Sequence, residues 1–299
     1  MIEETITSRL MLVRLTRTAY SARKYDKKIT AEVADAHNTK GDAGRYNKIL
    51  IAKEALEAGQ KAANDARTFL YAQTLPGPDE GLRILPTANF LPFTKEITRK
   101  IDAIKAADEN FIDHYQEYKD AAKIRLNGIY DEMDYPDLDT VKSKFSVSIS
   151  FSPVPGSRWT EVIDGLSTDI KEEIQKQSDL KVKETIDQAN ADLWRRLFDV
   201  VKHAAERLSD PTAIFRDSLI TNISDLCELL PRLNVTADPN LETMRRQVLD
   251  KLTAHDPADL RPKETDAPTV KAAKEATRKQ TAEEAAKLLK DLEAYFPTN

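Results

Sequence analysis

The chain has 299 residues and a formal charge of −5 at neutral pH, from 45 Lys or Arg against 50 Asp or Glu. Only 8 residues are Gly, 32% are charged and the mean hydropathy is −0.53, a balance rich in helix formers and poor in turn formers. One cysteine excludes an intramolecular disulfide framework, and no stretch approaches the roughly 20 apolar residues of a membrane span, so a soluble, cytoplasmic protein is expected.

The opening residues MIEETITSRL carry two acids, and the apolar run LMLV behind them is too short for a signal peptide. In LMLVRLTRTAY, Val13, Leu15 and Arg17 alternate with Arg14, Thr16 and Thr18, which predicts a strand over 10–19. SARKYDKKIT then leads into polar, glycine-containing sequence up to Gly44. The spacing of Ile49, Ala52, Leu56, Ala63, Phe69 and Leu70 predicts a helix from Arg45 to about Thr74. LPGPDEG, with two prolines and two glycines, breaks it. LRILPTANFL reads as a short or edge strand over 82–90, because Pro86 has no amide hydrogen to give to a ladder.

The next helix is the clearest, with Thr94 as its N-cap. Ile97, Ile101, Ile104, Phe111, Tyr115, Tyr118 and Ala122 follow at steps of four and three, and Asp108 occupies the missing step. That is a coiled-coil-like seam with a polar middle. The acidic YDEMDYPDLD ends it. In KFSVSISFSP, apolar and serine residues alternate strictly, which predicts a third strand over 144–152 with Phe145, Val147, Ile149 and Phe151 buried.

A second long helix is expected from about Trp159 to Ser209, reaching about 75 Å if unbroken. Gly165 and the polar stretch near Ser178 are places where it would break. SDP stops it, and Phe215, Leu219, Ile223, Leu226 and Leu230 form one face of the following helix. Leu241–Leu252 makes a short helix capped by Asp238 or Asn240. Residues 255–269 hold four acids and three prolines and read as a flexible linker. The alanine-rich 270–299 is an amphipathic helix that either packs back on the body or offers a face to a protein partner.

The fold expected is therefore mostly α, with long coiled-coil-like helices and a small antiparallel β-sheet of about three strands. An elongated helical body with the sheet would occupy 1–254, followed by the linker and the C-terminal helix. Homo-oligomerisation is expected as well, because heptad seams often pair between chains.

Catalytic signatures are absent. There is no GxxxxGKS/T, GxGxxG or HExxH. His37, His114, His203 and His255 are far apart, with no ligand-spaced partner. Asp131, Glu132, Asp134, Asp137 and Asp139 could suit a hard cation, but they lack a Gly-centred loop and read better as a helix-terminating acidic loop. Cys227 lies in the apolar helical run ISDLCELL and reads as a buried thiol. No cofactor and no enzymatic activity are expected.

The remaining signal is positive charge. Residues 9–53 hold 11 Lys or Arg against 4 Asp or Glu. There Tyr20 and Tyr25 are interleaved with Arg14, Arg17, Arg23, Lys24, Lys27 and Lys28. Single-stranded nucleic acid is bound by this mixture, with cations along the phosphates and aromatic faces under the bases. The plainer alternative is a solvated surface whose cations pair with the protein's own acids.

At LVRLTRTAYSARK, GLRILPTANFLPF, MDYPDL, FSVSISFSPVPG and, most distinctively, Ala205 to Glu242, the chain resembles a family of uncharacterised bacterial and bacteriophage proteins of unknown function. The resemblance covers most of 10–250 and implies a phage or phage-like origin, but transfers no catalytic residue. Two functions are carried forward. The first is a phage-associated nucleic-acid-binding protein, acting on single-stranded DNA in replication or recombination. The second is a non-enzymatic assembly or adaptor protein that binds other proteins, such as a helper ATPase.

Overall fold

The computed structural model describes residues 6–40, 43–154, 165 and 167–295. It is predominantly helical with a small antiparallel sheet, as the sequence predicts. The strands are β1 (Leu10–Thr18), β2 (Arg23–Tyr25), β3 (Asn47–Ile49), β4 (Leu75–Pro76), β5 (Arg83–Pro86) and β6 (Ser146–Pro153). The helices are α1 (Lys27–Ala36), α2 (Glu54–Gln73), α3 (Phe90–Asp113), α4 (Tyr115–Leu126), α5 (Leu138–Ser143), α6 (Thr168–Ser209), α7 (Ser218–Leu233), α8 (Pro239–Leu252) and α9 (Pro268–Glu293). Among the described residues no helix is long and apolar enough to cross a membrane.

The three strands read from the sequence meet in one sheet of order β4-β5-β1-β6, and a separate ribbon joins β2 to β3. β1 pairs antiparallel with β5, Leu10 opposite Pro86 and Val13 opposite Arg83. Burial on β6 alternates as the serine pattern requires, but its apolar side is only half-buried and Phe151 is 38% exposed. The expected deep burial of that face is thus corrected: period two reports which side a residue takes, and the neighbours decide how far it is covered.

The chain divides into two compact units rather than into a body, a linker and a tail helix. Unit 1 comprises residues 1–13, 73–91 and 151–299, and unit 2 comprises 14–72 and 92–150. The charge divides with them. Unit 2 carries 21 Lys or Arg against 19 Asp or Glu, and unit 1 carries 24 against 31.

Unit 1 is built on α6–α9. Of the face predicted for α7, Leu219, Ile223 and Leu230 fall below 7% exposure and Leu226 is partly buried, while Phe215, buried too, precedes the helix. Cys227 is fully buried in the same core, its sulfur against the Arg245 carbonyl at 3.7 Å, and burial pushes its thiol up to about 11. Asp238 caps α8 by accepting from the amides of Asn240 and Leu241. The long helix runs unbroken past Ser178; the part expected over 159–164 lies outside the described residues. At 42 residues α6 is about 63 Å long.

The segment 255–269 is tied down rather than a free linker. Leu260 is fully buried, Arg261 pairs with Asp217, and Lys274 Nζ lies 3.0 Å from Asp266. The C-terminal helix begins at Pro268 and packs back: Ala282, Ala285, Leu288 and Leu292 are core residues of unit 1. Its alanine-rich stripe lets it approach α6 closely, so burial outweighs any role as a detached tail.

Unit 2 contains the seam helix. Ile97, Ile101, Ile104, Asp108 and Phe111 are all buried on α3, and Tyr115 and Ala122 continue the burial on α4 after a break at His114. α3 begins at Phe90 rather than at a Thr94 cap. Pro92 fits its first turn, where no intrahelical amide bond is lost. The helix expected from Arg45 also starts late, at Glu54, because Asn47–Ile49 are drawn out as β3 by pairing with β2.

Asp108, the polar step of the seam, has a partner inside the unit. Arg17 on β1 reaches its Oδ1 at 2.9 Å and also donates to the Gly59 carbonyl of α2. Burial holds the Asp108 carboxyl above its ordinary value, outweighing the Arg17 charge beside it. A Cβ on Gly59 would lie 2.9 Å from Asp108 Oδ1 and 3.0 Å from Arg17 Nη2. Gly59→Ala is therefore expected to destabilise unit 2 by about 1–2 kcal/mol, although alanine gains about 1 kcal/mol of helix propensity. Thermal denaturation of the variant checks this; a raised melting temperature would contradict it.

Candidate nucleic-acid interface

The basic segment folds into the β2–β3 ribbon and the start of α1. Pairing puts Arg23 opposite Ile49, Lys24 opposite Lys48 and Tyr25 opposite Asn47. Successive strand residues point to opposite faces, so the ribbon sorts its charges.

One face is neutralised. Lys24 Nζ lies 2.8 Å from Asp134 Oδ1, and Lys48 Nζ lies 2.8 Å from Asp134 Oδ2 and 2.9 Å from Asp26 Oδ2. The Lys48 and Asp134 side chains are 6% and 7% exposed. Asp26 also caps α1, accepting from the Ile29 amide at 3.1 Å. Burial works against the Asp134 charge, but the hydrogen bonds and charges of Lys24 and Lys48 outweigh it and hold the carboxyl below its usual range. Burial likewise opposes the Lys48 charge, and its two carboxylates raise its pKa nonetheless.

The other face carries Arg23 and Tyr25. Both are exposed, Tyr25 by 40%, and Arg45 lies over the Tyr25 ring at 5.8 Å. Arg23 borders an open cleft of about 700 Å³ in unit 2, which Arg17, Tyr20, Lys53, Phe111 and Phe145 also line. Glu54, Glu57 and Asp108 share its wall, so the cleft itself is electrically mixed. Beside the ribbon, Lys27 and Lys28 stand exposed in the first turn of α1. That turn holds no acid, and cations there oppose the helix dipole at about 0.3–1 kcal/mol each.

The structure thus divides the eight residues read from the sequence. Arg14 is exposed on β1 in unit 2. Arg23, Tyr25, Lys27 and Lys28 are exposed, with Lys28 4.0 Å from Glu32. Arg17 and Lys24 are engaged with Asp108 and Asp134. Tyr20 is 8% exposed, its ring 6.3 Å from those of Phe111 and Tyr115, and its face is closed to a base. Arg45 and Lys53 were not singled out by the sequence, since each sits apart from the basic run.

The acidic loop is spent on structure. Asp131 caps the Met133 amide, Glu132 accepts from Tyr130 and pairs with Lys119, and Asp137 caps α5 through Thr140. Among the described residues no group of three or more His, Cys, Asp or Glu is placed to hold a metal ion. The chain matches no protein-family model, no curated protein and no solved structure.

Proposed function

We propose that this is a non-enzymatic nucleic-acid-binding protein, of phage type, that contacts single-stranded DNA or RNA through the Arg23–Tyr25 face of the β2–β3 ribbon. The observation that carries this reading is the sorting of the ribbon. Its buried Lys48 and half-exposed Lys24 are matched by the carboxylates of Asp134 and Asp26, whereas Arg23, Tyr25 and the adjoining Arg45, Lys27 and Lys28 are left to solvent with an aromatic ring among them. Cations tracking a phosphate backbone beside a stacking platform is the arrangement that single strands use. The positive balance of unit 2 supports the same partner.

Fluorescence anisotropy with labelled oligonucleotides tests it. Binding is expected at about 50 mM salt and should weaken steeply as salt rises, with a slope of about −0.7 per phosphate neutralised. Arg23→Glu with Arg45→Glu should weaken binding across all sequences and flatten the slope. Tyr25→Ala should cost about 1–3 kcal/mol with little change in slope. Absence of binding at low salt removes this reading and leaves the adaptor reading in its place.

A further inference from the structure

The sheet ends on one side in β4, two residues long and closed by Pro76. Short length and proline are the usual protections of a sheet edge. β6 closes the other side; its one proline, Pro153, stands at its far end, and the stretch Ser146–Ser150 has neither protection. β6 is eight residues long, no described strand lies beyond it, and no residue between Ser146 and Pro153 is charged. Within unit 2 its segment Ser146–Ser150 has three exposed serines on one face and the half-buried Val147 and Ile149 on the other. Ser146 Oγ lies 2.8 Å from Thr18 Oγ1 of β1, the neighbouring strand on its inner side, and among the described residues no strand pairs with its outer side.

We propose that Ser146–Ser150 pairs antiparallel with the same segment of a second copy, across a two-fold axis at Ser148. The segment is self-complementary in that register. Ser148 faces its own copy, Ser146 faces Ser150, and Val147 faces Ile149. Hydroxyls then meet on one face and aliphatic side chains on the other, both favourable cross-strand pairs. The aliphatic pair would complete the cover that each chain leaves half open. The nearest strand-flanking cation, Lys144, is four positions from the axis, which puts the two copies about 26 Å apart at roughly 3.3 Å per residue. That is beyond the screening length of about 8 Å, so like charge does not oppose the pairing. An isologous contact of this kind closes on itself and gives a dimer rather than a fibre.

The test is sedimentation velocity on the full chain at micromolar concentrations. The wild type should be a monomer–dimer equilibrium. Ser148→Lys with Ser150→Lys places lysines across the axis and should raise the dimer dissociation constant by about tenfold or more. The corresponding glutamate pair should do the same, and mixing the two variants should restore a dimer containing one of each. Hydrogen exchange on the wild type gives a readout that needs no variant: the amides of 146–150 should slow as concentration rises. A wild type that stays monomeric, a lysine variant that dimerises as well as the wild type, or exchange at 146–150 that is independent of concentration would each overturn the proposal.

Discussion

Arg278→Met is expected to destabilise unit 1 by about 3–5 kcal/mol. Arg278 is 7% exposed and sits on α9 against the C-terminal end of α6. Its guanidinium donates to the carbonyls of Leu208 at 3.2 Å, Arg207 at 2.9 Å, Asp210 at 2.5 Å and Ala213 at 3.0 Å. The last carbonyls of a helix have no intrahelical donor, and a cation there also answers the negative end of the dipole. Its group also lies 5.3 Å over the Phe215 ring. Methionine fills similar volume but leaves buried carbonyls without a donor, each costing about 1–3 kcal/mol. Denaturant unfolding followed by fluorescence of Trp194, itself in the unit 1 core, reads the loss. Arg278→Lys should recover only part of it, since one ammonium cannot span four acceptors. A midpoint unchanged by Arg278→Met would show that the α9–α6 contact is held by its alanines and leucines alone.

Lys48→Met should cost unit 2 about 3 kcal/mol, because removing one partner of a buried ion pair strands the other. Asp134 would keep Lys24, half-exposed, and Asp26 would keep its helix-capping bond, which holds the loss below that of a fully isolated charge. Both tryptophans belong to unit 1, so hydrogen exchange at the β2 and β3 amides is the suitable measurement. Protection there should fall by two orders of magnitude, about the factor that 3 kcal/mol represents.

The same cluster sets a pH dependence. The Lys48 hydrogen bond holds the Asp26 carboxyl below its ordinary value, as Lys24 and Lys48 hold that of Asp134 against burial. Depressed carboxylates contribute stability that is fully present above the unfolded value near 3.8 and is lost as pH falls through the folded values. Lys48 is raised, so its share is present below 10.5 and is lost as pH rises through its folded value. Asp108, raised by burial, acts oppositely in acid and gives back a part. Exchange protection of β2 and β3 should therefore be flat near neutrality and fall below about pH 4, and Lys48→Met should flatten the acid limb.

Much of the secondary structure was legible in the residues. β1 and the alternation of β6 follow from period two. The faces of α3 and α7 follow from steps of three and four, because those periods place residues on one side whatever lies opposite. The late start of α2 was not legible: Arg45–Ile51 carries a helical spacing, and only the pairing of Lys48 with Lys24 makes it a strand. The C-terminal helix was legible as amphipathic, but Arg278 and its four acceptors, 65 or more residues away, were not.

For the candidate interface the division is sharper. The amino-acid sequence alone determined that positive charge and tyrosine concentrate near the N-terminus, that GxxxxGKS/T, GxGxxG and HExxH do not occur, and that the long helices are amphipathic. Only the tertiary structure decided which charges remain available. Arg17 meets Asp108 across 91 residues and Lys48 meets Asp134 across 86, while Tyr20 is drawn into an aromatic core. Periodicity reports that a side chain faces inward. Which partner waits there depends on chain closure over distances that local spacing does not encode, and in a low-dielectric interior that partner settles whether a cation is a structural pin or a free charge.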